Sequence, residues 1–137
     1  MKARNLIVSV AVLMLLIVGI FYAQYNKPSR NIADEQSIPV TAEQLFQQFA
    51  ENEQAANGLY LNKVVEVSGD VLDIKHTEQG QDVIILKSND PMFGTSCTLD
   101  TRYGKPEKLK PGDKATVKGV CTGYLTDVVL IRSSVIK

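Results

Sequence analysis

The chain has 137 residues, which is one domain plus at most an appendage, because a single core is normally built from roughly 100 to 150 residues. It carries no net charge, and from Ile38 to Lys137 eleven Lys and Arg face thirteen Asp and Glu. That balance weighs against a dedicated binder of phosphate backbones, which is usually basic.

The appendage is at the N-terminus. Leu6 to Ala23 is an uncharged run of eighteen residues behind Lys2 and Arg4. As a helix it would cover about 27 Å, close to the ~30 Å hydrocarbon core of a bilayer. A cleavable signal has a shorter apolar run that ends in small residues. Here the run leaves through Phe21-Tyr22-Ala23-Gln24-Tyr25, which favours an uncleaved anchor over 1–25 with Tyr22 and Tyr25 as interfacial aromatics. Lys2 and Arg4 balance Lys27 and Arg30, so the α-amine alone tips the positive-inside count. The cysteines decide the placement. Cys97 and Cys121, behind an export-type segment, read as one disulfide in an oxidising compartment. The expected location is a bacterial cytoplasmic membrane crossed once, with the C-terminal domain periplasmic.

Residues 26–39 turn to Asn, Pro, Ser, Arg, Asp, Glu and Gln and read as a flexible linker, followed by a domain over 40–137. Thr41 with Gln44 has the spacing of a capping box, and Val40 with Leu45 that of a hydrophobic staple. Leu45, Phe49, Asn52 and Ala56 continue at helical spacing, which predicts one amphipathic helix of about sixteen residues, stopping at Asn57-Gly58 and acting as a lid on the rest of the domain.

The remainder of the domain is built on a repeat. Val65, Val67, Gly69 and Val71 align with Ala115, Val117, Gly119 and Cys121, so two stretches fifty residues apart each offer one apolar face with a glycine third in line. The first runs from Tyr60 to about Ile74 and pairs as a hairpin with Asp82–Leu86 across a turn at 76–81. Phe93, Thr95, Cys97 and Leu99 alternate with polar residues in a third strand. A basic, proline-punctuated connector leaves room for one helical turn at most. The echo strand and Asp127–Arg132 complete five strands. Five short strands with two glycine-bent equivalents and a connector after the third predict an all-β, five-stranded oligonucleotide/oligosaccharide-binding (OB) barrel behind an amphipathic helix and a transmembrane anchor.

Glu53-Gln54-Ala55-Ala56, Tyr60, Lys63 through Val71, Cys97, Leu109 through Gly119 and Cys121-Thr122-Gly123 resemble the tRNA-anti-like family of bacterial OB-fold proteins, over nearly all of 40–137. The resemblance implies an OB barrel, often exported, and kinship to anticodon-binding domains rather than a demonstrated tRNA partner. Many members look like lipoproteins; this chain has no lipobox cysteine, consistent with a transmembrane anchor instead.

Candidate site residues are few. Cys97 and Cys121 share the apolar phase of their strands, and a disulfide between them is weighed against two buried thiols and against redox or metal work. No Cys-x-x-Cys and no nearby histidine supports the last. His76, the only histidine, reads as a turn residue. Arg102, Tyr103, Lys105, Lys108, Lys110 and Lys118 form the one basic stretch that could meet nucleic acid, with Tyr103 for stacking; a solvated loop is the plainer alternative. No nucleophile elbow, phosphate loop, metal-ligand spacing or paired carboxylates mark an enzyme, so no cofactor or metal is expected. The sequence predicts a binding or adaptor module that meets a protein or envelope component, with nucleic acid as the alternative and the oligomeric state undetermined.

Overall fold

The computed structural model describes residues 2–25, 31–103 and 108–137, with side chains from residue 5 onward. The chain divides into two units, Met1–Arg30 and Asn31–Lys137. The first is helix α1 (Lys2–Tyr25). Within it Asn5–Tyr25, 21 residues, is long and apolar enough to cross a membrane.

The second unit runs β1 (Ile38–Thr41), α2 (Ala42–Glu51), α3 (Glu53–Tyr60), β2 (Val64–His76), β3 (Asp82–Lys87), β4 (Gly94–Leu99), β5 (Lys114–Tyr124) and β6 (Val128–Val135), with 3-10 turns at Ile32–Asp34 and Thr101–Tyr103. Hydrogen bonding proceeds from β2 to β3, β4, β6 and β5 and returns to β2, so five strands close on themselves. All these contacts are antiparallel except β4–β6. This is the five-stranded OB barrel expected from the sequence.

The repeat explains its seam. The two copies are hydrogen-bonded to one another, with Val67 opposite Val117, Val65 opposite Gly119 and Gly69 opposite Ala115. They are therefore related by a local two-fold through the Val67–Val117 pair. Val65, Val67, Val71, Ala115, Val117 and Cys121 all turn inward and are buried. Gly119 lies where the β5–β6 register slips between Lys118 and Val120, and a Cβ there would collide with Ser133 Oγ. Gly69 has another use: its missing Cβ would stand 3.0 Å from Ala42 Cβ, so it lets the start of α2 settle on the barrel. Leu45, Phe46 and Phe49 of α2 join Ala56 and Tyr60 of α3 in the barrel's core cluster, which is the lid the amphipathic pattern predicts.

Four expectations need correction. The fold is not all-β with five strands: among the described residues there are three α-helices, and β1 adds a sixth strand, parallel to β2 with Ile38 opposite Val65. The single helix is two, because Asn52 leaves helical geometry (φ −153°) and accepts a hydrogen bond from Ala55 N, capping α3 where α2 ends. Asn57-Gly58 does not stop it; α3 continues to Tyr60, and β2 starts only at Val64. Finally, the stretch read as a flexible linker is docked from Asn31 onward. Ile32 is buried, Lys118 Nζ donates to Ala33 O at 2.9 Å, and Ser37 Oγ donates to Glu66 Oε2 at 3.1 Å. Residues 26–30 of that stretch lie outside the described residues.

Candidate binding surfaces of the barrel

The predicted disulfide is not formed: Cys97 and Cys121 are both free and buried. Register gives the reason. Cys97 on β4 is opposite Leu130 of β6, and Cys121 on β5 is opposite the same Leu130 from the other side. The two cysteines are thus two strand spacings apart, about 9 to 10 Å, whereas a disulfide needs Cα atoms within about 7 Å. Sharing a phase put both thiols inside the barrel, but with a leucine between them. Burial pushes the Cys97 thiol up to about 12, and burial also raises that of Cys121.

The basic connector does not assemble as one surface. Arg102 turns back on Asp100, with Nε donating to Oδ1 at 2.9 Å and Nη2 to Oδ2 at 2.5 Å, and its Cζ stands 5.7 Å from the Tyr103 ring centroid. The Arg102 hydrogen bond holds the Asp100 carboxyl below the ordinary carboxylate range, against a smaller upward push from burial. Lys118 is buried beneath residues 31–37 as their anchor. Lys108 and Lys110 are exposed, and the Lys110 N–H donates to Asp113 Oδ2 at 2.9 Å in the turn that leads into β5. Lys105 lies outside the described residues. Of the six candidates, then, one is structural, two are tied to each other and to Asp100, and two present free-standing cationic side chains to solvent. His76 closes β2 rather than sitting in the turn, and its ring contacts the Asp82 carboxylate across the hairpin.

In OB folds the outer face of the second and third barrel strands, here β3 and β4, is the usual ligand platform. Strand alternation puts Val83, Ile85 and Lys87 of β3 on it, opposite Thr98, Ser96 and Gly94 of β4, with Lys75 of β2 beside Val83 and Val129 of β6 beside Ser96; Ile85 itself is buried. No aromatic side chain lies on this face among the described residues. The ring systems are spent inside instead: Phe46 meets Tyr124 edge-on at 5.8 Å, and Phe49 stacks on Tyr124 at 5.9 Å.

A third surface was not singled out from sequence. The outward phase of the β2–β5 pair is a polar ladder, with Glu66 opposite Lys118, Ser68 opposite Thr116, and Asp70 opposite Lys114. Residues 31–37 cover its Glu66–Lys118 end. The other end opens into a cleft of about 530 Å³, where Lys87, Lys114 and Lys137 face Glu43 and Asp70. The signal was present in the polar residues that alternate with the repeated valines, but only strand pairing shows that the two sets stand side by side.

A closed five-stranded barrel with an OB strand order, capped by helices, defines an OB-fold domain. The tRNA_anti-like family matches residues 1–135, and the chain belongs to that family. Among solved structures it is similar to a crystal structure from Klebsiella pneumoniae subsp. pneumoniae MGH 78578, described as a "putative nucleic acid-binding lipoprotein". The likeness has a TM-score of 0.54 at 24% identity, covering 81% of this chain and 100% of that one, and speaks to the fold alone. No curated protein matches the chain.

Proposed function

We propose that the chain is a membrane-anchored OB-fold binding or adaptor module, held by α1 in a bacterial cytoplasmic membrane with its barrel on the periplasmic side, and that it contacts a protein or envelope component rather than catalysing a reaction. The observation that carries this is the β3–β4 outer face. Ser96, Thr98 and Val83 offer hydroxyls and aliphatic surface, suited to a protein or glycan, without rings for base stacking, and the cations Lys75 and Lys87 stand only at the two ends of the β3 row. Single-stranded nucleic acid is the second reading. It is favoured by the description of the Klebsiella structure and by exposed Lys108 and Lys110.

A titration separates the two. A fluorescent single-stranded DNA or RNA oligonucleotide is titrated with the full chain in non-ionic detergent, at low and then rising salt. The proposal predicts no saturable binding at low salt. Saturable binding that weakens steeply with salt, and that falls on K108A/K110A substitution, contradicts it and establishes the second reading, since phosphate contacts release counterions.

A further inference from the structure

The open end of the β2–β5 ladder collects charges of both signs that do not satisfy each other. Lys87 and Lys114 line the cleft with Glu43 and Asp70, and no ion pair within 4.0 Å joins these groups among the described residues. Between them stand Ser68 and Thr116, cross-strand neighbours whose hydroxyls have no hydrogen-bond partner among the described residues. The walls that hold these groups are rigid. Ser68, Asp70, Lys114 and Thr116 sit on the paired core strands, and Thr116 N donates to Lys137 O at 2.8 Å while Ile136 N donates to Thr116 O at 2.9 Å.

Each simple ligand meets an obstacle here. A bare anion gains the lysines and hydroxyls but must approach two carboxylates, and a bare cation gains the carboxylates but must approach the lysines. A ligand with both charges on one short frame meets each set with its opposite. We propose that this cleft binds a small phosphate ester bearing a primary ammonium group, of the phosphoethanolamine class. The phosphate oxygens accept from Lys87, Lys114 and the Ser68 and Thr116 hydroxyls, and the ammonium donates to Glu43 and Asp70. Such charge-assisted hydrogen bonds are about twice as strong as neutral ones, but exposed pairs contribute little each. Millimolar affinity for the isolated group is therefore expected, enough for recognition when the group is abundant or presented on a surface. The inference goes beyond the proposed adaptor role and rests on the β2–β5 ladder, with only Lys87 contributed by β3, so either can fail without the other.

The test monitors backbone amide shifts of the full chain in non-ionic detergent, titrated separately with O-phosphoethanolamine, inorganic phosphate, ethanolamine and phosphocholine. Phosphoethanolamine should shift Ser68, Asp70, Lys114 and Thr116 together and bind several-fold more tightly than the other three. Lys114→Ala, or Lys87→Gln should the first perturb the fold, should weaken it about 5-fold or more, and Asp70→Asn should abolish its preference over inorganic phosphate. Two further arms identify the source. The same shifts in nanodiscs of phosphatidylethanolamine, but not phosphatidylcholine, with no probe added, assign the ligand to a lipid headgroup. Shifts with the soluble probe alone assign it to a free ester. No cleft shifts up to tens of millimolar probe, or equal binding of phosphate and phosphoethanolamine, overturns the proposal.

Discussion

Cys97 and Cys121 show how far a side chain's phase determines its chemistry. Both sit at 0% exposure on inward positions, and a single intervening residue, Leu130, makes them two separate thiols instead of a bond. With burial holding the Cys97 thiol near 12, only about one molecule in ten thousand carries the thiolate at pH 8, and the thiolate is the form that reacts. The native chain should thus be inert to a thiol reagent at pH 8, and two thiols should react on denaturation with no reductant present. Thiols that appear only after reduction would restore the disulfide and require the β4–β6–β5 register to be wrong. The same residues qualify the compartment argument, because a free pair removes the oxidising environment as its support and leaves α1 to carry it.

At the scale of elements, the legible parts were those whose signal is local. The repeat was visible as strands because period-two alternation needs no partner, and the hairpin because its turn composition lies between two apolar runs. The invisible parts depend on neighbours. β1 is four residues containing Pro39, and it becomes a strand only because β2 has an open side for Ile38–Thr41 to join in parallel. Asn52 fits the helical spacing as well as it fits a cap, and only its backbone geometry separates the two roles. Lys118 belongs to a basic run in sequence, yet strand pairing places it opposite Glu66 and beneath residues 31–37. That docking makes a testable element. Lys118→Met keeps most of the aliphatic stem but removes the donor to Ala33 O, a charged hydrogen bond worth about 1.5 to 3 kcal/mol. Amides of residues 31–37 should then exchange markedly faster, while those of β2 and β5 stay protected. Unchanged protection at 31–37 would mean that Ile32 and the β1 pairing hold the segment without the lysine.

As a whole molecule, the chain carries an apolar helix and a closed barrel whose interior is filled by the repeated valines together with Cys97 and Cys121. The features most conspicuous in the sequence, the repeated valines, glycines and cysteines, build that scaffold. In the proposed function, binding falls to the polar phase of the same strands and to the β3–β4 face. This division is why the fold was readable and the ligand was not: core positions announce themselves by periodicity, whereas an outer surface is any set of polar residues until pairing brings them together. In the proposed function, α1 holds this binding surface outside the cytoplasm. Protease digestion of intact spheroplasts carrying the full chain, with the membrane fraction then probed for fragments, decides that placement. The expected result is loss of the barrel from outside while a short fragment containing α1 stays with the membrane. A barrel protected until the spheroplasts are lysed, or one recovered in the soluble fraction without α1, would contradict it.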